Sequence, residues 1–301
     1  MKIKFWIKAF RLRTLPLSVS CILMGCALAS IDYRVDLRVV LFSLITTILL
    51  QILSNLANDY GDGVRGTDKA RKGEQRMVQS GFISKKQMLF AVVIFGILSF
   101  LSGVVLLYFS FGLNQLSNSV IFLFLGLFAI WGAIKYTMGK IPYGYIGLGD
   151  VFVYIFFGIV GVCGSYFLLT KDLDLTVIPG VLICGCLSVG VLNMNNIRDY
   201  DSDKIAGKRT VVVKRGLKWA KVYHVLLLAI AMLSYLSLYV YTNNTNNHIL
   251  LIGLLPMLIL LTNAKKVILS TENSQLDSEL KKIALSTFLI ALILVITFGY
   301  F

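Results

Sequence analysis

Long apolar runs separated by short charged segments constrain this 301-residue chain more than any other feature. Nine runs stand out: Leu15–Ala29, Leu37–Ala57, Met88–Phe111, Ser119–Ile134, Leu148–Leu169, Val177–Leu192, Ala220–Tyr241, Ile249–Ala264 and Ile283–Gly299. A bilayer core about 30 Å thick takes roughly 17–25 apolar residues per helix, and the shorter runs extend into their flanks. Only helices and closed barrels satisfy every backbone amide in lipid, and these runs are too long for barrel strands. The chain is 57% hydrophobic and 15% charged, whereas soluble domains carry roughly 25% charged residues. A soluble globule and a disordered chain are both excluded. The predicted fold is all-α and polytopic, one integral membrane unit over residues 1–301. The basic start Lys2–Arg13 and the apolar Leu15–Ala29 look like a signal peptide, but no polar domain follows, so the run reads as a first span.

Net charge is +14, from 29 Lys and Arg against 15 Asp and Glu. In a soluble protein that excess would point to nucleic acid. Here the charges lie between apolar blocks and point to anionic membrane lipid, with no nucleic-acid partner. With the N-terminus inside, segments 1–14, 58–87, 135–147, 193–219 and 265–282 are cytoplasmic and hold 25 of the 29 basic residues. That is the positive-inside pattern, and it leaves the C-terminus outside. The five cysteines lie in apolar stretches and read as free, small hydrophobes.

Two cytoplasmic segments, 55–87 and 193–219, differ from the rest and read as acidic cap loops, one per half of the chain. The first carries Asn55, Asn58, Asp59, Asp62 and, beyond Gly66, Asp68; the second carries Asn195, Arg198, Asp199, Asp201 and Asp203. Helical spacing puts Asn195, Asp199 and Asp203 near one face, and Asn55, Asp59 and Asp62 near another, with Asn58 beside Asp62. Acids packed so closely need a cation or become protonated. Hard oxygen donors without histidine point to Mg²⁺, so Asp59, Asp62, Asp68, Asp199 and Asp203 are candidate ligands. Arg65, Lys69, Arg71, Lys72 and Arg76 follow the first motif, and Lys204, Lys208 and Arg209 follow the second. Carboxylates for Mg²⁺ and basic groups for phosphate oxygens describe a diphosphate site, here opening onto an apolar bundle. A substrate with a diphosphate head and a hydrocarbon tail suits both environments.

The ordered motifs resemble the UbiA-type membrane prenyltransferases, which attach an isoprenoid chain to an aromatic ring. The opening Trp6-Ile-Lys-Ala-Phe10-Arg-Leu-Arg-Thr-Leu-Pro16, the stretch Gln51–Asp62 with Asp68, and Asn195–Asp203 with Gly207-Lys208-Arg209-Thr210 are most similar to the branch acting on 1,4-dihydroxy-2-naphthoate. Tyr136–Asp150 resembles a further family segment, but Lys140 and Asp150 stand where Pro and Glu are common. The resemblance implies nine transmembrane helices around a central cavity with cytoplasmic caps, in a bacterial plasma or inner membrane. It also implies Mg²⁺-dependent transfer from an all-trans polyprenyl diphosphate to dihydroxynaphthoate, releasing diphosphate and CO₂ and giving demethylmenaquinone.

Under that reading Asp59, Asp62, Asp199 and Asp203 are catalytic, holding Mg²⁺ against the departing diphosphate. Asn55, Asn58 and Asn195 orient water or phosphate, while Arg65, Lys69, Arg76, Arg198, Lys208 and Arg209 bind the head group. Tyr60, Tyr136, Tyr143 and Tyr145 are candidate aromatic faces for an allylic cation. Lys140 and Asp150 are candidate substrate contacts, and Arg11 and Arg13 serve either topology or an acceptor carboxylate. A different aromatic acceptor and, further off, a transporter are the alternatives.

Overall fold

The computed structural model of the chain describes residues 3–67, 75–242, 248–270 and 276–299. Among these residues the structure is entirely helical, without strands. The helices are α1 (Ile3–Phe10), α2 (Leu15–Ala29), α3 (Leu37–Arg65), α4 (Lys85–Phe111), α5 (Leu116–Lys135), α6 (Gly149–Val153), α7 (Gly164–Thr170) and α8 (Ile178–Arg198). They continue as α9 (Tyr200–Ile205), α10 (Val211–Arg215), α11 (Leu217–Thr242), α12 (Leu254–Leu269) and α13 (Asp277–Phe298). Nine helical segments among the described residues are long and apolar enough to cross a membrane, one for each run in the sequence.

The ends differ from the sequence reading in one way that matters. The second and sixth spans continue to Arg65 and Arg198, so Asn55–Asp62 and Asn195 lie on the spanning helices themselves rather than in loops. Polar residues at a helix end satisfy their backbone within the helix as readily as apolar ones, so hydropathy alone stops too early. Helix α3 begins at Asp36, whose carboxylate accepts the Arg38 N–H at 2.8 Å, and it stops at left-handed Gly66. A Ser84–Gln87 capping box opens α4.

The last helix α13 packs against α2, closing the helices into a ring. One buried cluster joins α2, α8, α11, α12 and α13, and a second joins α1, α3, α4 and residues 77–83. Between helices in lipid the hydrophobic effect gives little, so close backbone approach decides packing. Gly158 shows this: a Cβ there would lie 3.0 Å from the Gly185 Cα of α8. Gly158 sits in Tyr154–Cys163, a wider π-helical stretch linking α6 to α7; such turns gather at functional sites. Its Phe156, Phe157 and Val160 face the space inside the ring.

Candidate active site

That space is a cavity of about 480 Å³, bounded by α2, α3, α4, α5, the π-helical stretch, α8 and α13. Its deeper wall is apolar, with Leu17, Leu50, Phe100, Phe122, Phe156 and Leu168. Its mouth is ionic. Asp62, one turn before the end of α3, is 2% exposed and reaches it. Three donors from three other segments converge on that carboxylate: the Tyr145 hydroxyl at 2.6 Å, Lys208 Nζ at 3.3 Å and Arg76 Nη2 at 3.5 Å.

Lys208 arrives there because α9 ends in a left-handed turn at Gly207, φ 71°, with the Lys208 N–H bonded to the Asp203 carbonyl at 2.9 Å. The turn folds the chain back over the cavity, and Lys208 Nζ then lies 3.9 Å from Asp203 Oδ1 and 4.8 Å from the centre of the Tyr145 ring. One ammonium thus bridges the two acidic motifs. The Arg209 N–H donates to the Tyr145 carbonyl at 2.8 Å, docking residues 143–145 onto the same turn. Burial and then the charge of Asp62 raise the Tyr145 phenol above its ordinary value, so it stays a donor at neutral pH. Gly61 is needed for the other wall, since a Cβ would lie 2.7 Å from the Thr137 carbonyl oxygen. Thr137 donates to the Ala57 carbonyl at 3.0 Å and to Asn58 Oδ1 at 3.2 Å.

Of the residues expected from sequence, Asn55, Asn58, Asp62, Arg76, Tyr145, Asn195, Asp199, Asp203 and Lys208 line the cavity, as do Tyr136 and Tyr143. Asp59 does not. Its two oxygens accept the backbone N–H groups of Met77 and Val78, each at 2.9 Å, so it holds the segment bearing Arg76. Tyr60 packs beside it in the α1–α3–α4 cluster. Asn55 lines the cavity, yet its amide N–H groups go to the Phe10 carbonyl and Thr14 Oγ1, both at 2.9 Å.

Arg198 faces acids rather than the cavity. It forms a two-bond fork to Asp199, 2.8 Å each, and donates to Asp277 at 2.6 Å. Asp150 is hydrogen-bonded to Tyr223 and lies outside the cavity wall. Arg65, Lys140 and Arg209 are exposed and also lie outside it. Arg65 instead donates to the carbonyls of Gly139 and Lys140 and stacks 5.0 Å over Tyr145. Asp68, Lys69, Arg71 and Lys72 lie outside the described residues. Asp277 is the residue that sequence reading missed. It lines the mouth, pairs with Arg198 and stands 4.0 Å from Arg13. Its signal was present as the acidic start Asp277-Ser-Glu279 of an apolar run, a helix N-terminus pattern.

Among the described residues no group of three or more Asp, Glu, His or Cys side chains is gathered closely enough to hold a metal ion by itself. The mouth offers instead the separate carboxylates of Asp62, Asp199, Asp203 and Asp277, neutral amides and cations, an arrangement suited to a ligand that brings its own negative charge.

Known proteins give the same picture. The UbiA prenyltransferase family matches residues 18–293. The 1,4-dihydroxy-2-naphthoate octaprenyltransferase of Haemophilus influenzae is 40% identical over 301 residues, 99% of this chain and 95% of that protein. The Escherichia coli protein of the same name is 46% identical over 224 residues, 74% of this chain and 72% of its own. Among solved structures, an apo UbiA homologue from Aeropyrum pernix aligns with a TM-score of 0.69 at 16% identity, covering 95% of this chain and 97% of that one. A UbiA homologue from Archaeoglobus fulgidus bound to GPP and Mg²⁺ aligns at 0.66 and 16% identity, covering 97% and 99%. At such identity the structural likeness is one of fold, and it extends over the whole ring of helices. With a family match over nearly the full length and a relative 40% identical over 99% of it, the chain belongs to the UbiA prenyltransferase family.

Proposed function

We propose that this protein moves an all-trans polyprenyl group from a polyprenyl diphosphate to 1,4-dihydroxy-2-naphthoate, releasing diphosphate and CO₂ and giving the quinol form of demethylmenaquinone. The observation that carries this reading is the convergence of Lys208, Arg76 and Tyr145 on Asp62 at the ionic mouth of an apolar cavity. The naphthoate acceptor is supported by the names of the Haemophilus and Escherichia relatives. The bias of basic residues supports a cytoplasmic mouth and N-terminus, and the bacterial relatives support a bacterial plasma or inner membrane.

Mg²⁺ fits the residues at the mouth. Asp62, Asp199 and Asp203 supply hard oxygens, and Asn58 and Asn195 supply neutral ones. Mg²⁺ usually takes one or two carboxylates and completes its shell with water and phosphate oxygens, so a site left open by the protein suits it. When bound it neutralises charge developing on the diphosphate. Lys208 and Arg76, already held at the mouth by Asp62, donate to the remaining diphosphate oxygens. The allylic C–O bond breaks with its electron pair left on diphosphate. A ring carbon of the acceptor then bonds to the allylic carbon, and the carboxylate leaves as CO₂, its bonding pair restoring aromaticity. The apolar wall of Leu17, Leu50 and Phe156 excludes the water that would otherwise capture the cation, and the faces of Tyr136 and Tyr143 stand at the same wall.

Incubating purified protein with Mg²⁺, dihydroxynaphthoate and a polyprenyl diphosphate tests this directly. The expected result is a decarboxylated prenyl-naphthalenediol identified by mass, formed only with Mg²⁺. Faster prenylation of 4-hydroxybenzoate than of the naphthoate would move the chain to a different acceptor.

A further inference from the structure

We propose that α1 and the segment just before α4 form a docking surface for anionic phospholipid headgroups, and that lipid seated there holds Arg76 at the cavity mouth. The second part rests on Arg76 meeting the diphosphate, as proposed above.

Helix α1 does not continue the first span. Arg11, at φ 49° and ψ 58°, breaks the helix and turns the chain before α2. What precedes it is eight residues with two faces. Ala9 is buried, and Phe5, Trp6 and Phe10 pack into the cluster that holds Met77, Val78 and Ile83. Ile3 and Ile7, one turn apart, are exposed, as are Lys4 and Lys8. Such a face suits a helix lying along a membrane surface, with isoleucines in the acyl boundary and lysines at the headgroups.

Helix α4 sets the depth. Its exposed Leu89, Phe90, Val93 and Ile97 face lipid, and Lys85 and Lys86 close that apolar stripe where headgroups begin. Phe82, three residues earlier and also exposed, stacks on Phe5 with ring centres 4.4 Å and planes 16° apart. The stack brings the four lysines of α1 and α4 to one level. No acid lies in residues 1–31 or 75–149, so these segments carry no carboxylate to neutralise them. Each lysine close to an anionic surface strengthens the attraction about fivefold.

The surface joins the site through one short segment. Met77 and Val78, against which α1 packs, donate their N–H groups to Asp59 at 2.9 Å each. The preceding residue, Arg76, reaches Asp62 at 3.5 Å. An eight-residue helix is too short to stand alone in water, so α1 keeps its shape by docking on residues 77–83 and on lipid. Headgroups that draw in the lysines favour the docked form, and with it Arg76 in place for the substrate.

The test is equilibrium binding of a polyprenyl diphosphate to the full chain in nanodiscs, with metal chelated and no acceptor. One set of discs is phosphatidylcholine alone and the other an equimolar mixture with phosphatidylglycerol. A negative surface by itself repels a diphosphate, so tighter binding in the mixture cannot come from surface charge alone. The wild type is expected to bind about fivefold more tightly in the mixture. K4Q/K8Q should lose that gain, and so should F82A, which keeps every charge but removes the ring that joins α1 to the segment. K218Q/K265Q removes the same charge from exposed lysines of α11 and α12 and should keep the gain. Equal or weaker wild-type binding in the mixture, a gain retained by K4Q/K8Q or F82A, or a gain lost equally by K218Q/K265Q overturns the proposal. An absence of binding in both discs removes Arg76 as a diphosphate contact and this inference with it, whereas a different aromatic acceptor touches neither.

Discussion

Replacing Asp62 by Asn leaves the volume at the cavity mouth unchanged and removes the single charge on which two cations converge. The carboxylate is 2% exposed, with Lys208 at 3.3 Å, Arg76 at 3.5 Å and the Tyr145 hydroxyl at 2.6 Å. Breaking a buried ion pair from one side costs about 3–5 kcal/mol, and an ionic mouth that admits water puts Asp62 near the lower figure. A loss of about 3 kcal/mol from the transition state is roughly two orders of magnitude in kcat. Binding moves the other way. In the wild type Asp62 competes with the substrate for Lys208 and Arg76. Without that internal anion, D62N should bind inorganic diphosphate more tightly than wild type when metal is chelated, while turning over about 100-fold more slowly with Mg²⁺. Calorimetric titration of diphosphate into detergent-solubilised protein, alongside product formation, reads both. Turnover within threefold of wild type, or weaker metal-free diphosphate binding, would refute the reasoning.

Three further substitutions probe the frame of the site. Asp59→Asn turns an amide N–H toward one of the two backbone donors that the carboxylate accepts, leaving a buried donor without a partner at about 1–3 kcal/mol. Its Tm in detergent should fall and its kcat should recover on cooling; lost turnover at an unchanged Tm would return Asp59 to the metal. Tyr145→Phe deletes a charge-assisted bond worth about 1.5–3 kcal/mol, so kcat/KM should drop about 10- to 100-fold. The folded phenol titrates above its ordinary 10.0, so its bond is fully present below that value and fades only as pH rises beyond it. Profiles of wild type and Y145F should therefore run parallel from about pH 6 to 9, and convergence within that range would count against the assignment. Gly61→Ala forces a methyl to 2.7 Å from the Thr137 carbonyl, an overpacking of about 1–3 kcal/mol that a thermal melt should register; an unshifted Tm would show that Thr137 gives way freely.

The helices were legible because lipid allows a spanning chain few alternatives, and the two acidic motifs because their residue types are out of place beside apolar runs. Which acid does what was less legible. Residues 59 and 62 lie about 60° apart around a helix, close enough to read as one face. That angle nevertheless sends Asp59 to the backbone of residues 77–78 and Asp62 to the cavity. The segment that claims Asp59 has no periodic pattern to announce where it folds. The surroundings of Arg198 were illegible for a similar reason: its partner Asp277 lies on the last helix, and sequence spacing carries no information about that distance. Lys208 was found because it follows the second motif directly, although only the Gly207 turn explains its reach to the first.

The meeting of Lys208 with Asp62 also bears on how the molecule is made. Ribosomes deliver the chain in order, so the third helix enters the bilayer long before the loop after α9 exists. Until that loop emerges, Asp62 has only the Arg76 guanidinium and the Tyr145 hydroxyl for partners and lacks the ammonium that ties it to the second motif. Linking of the two acidic motifs is therefore a late event in biogenesis, and a nascent protein halted after its fifth span would carry the first motif without its bridge to the second.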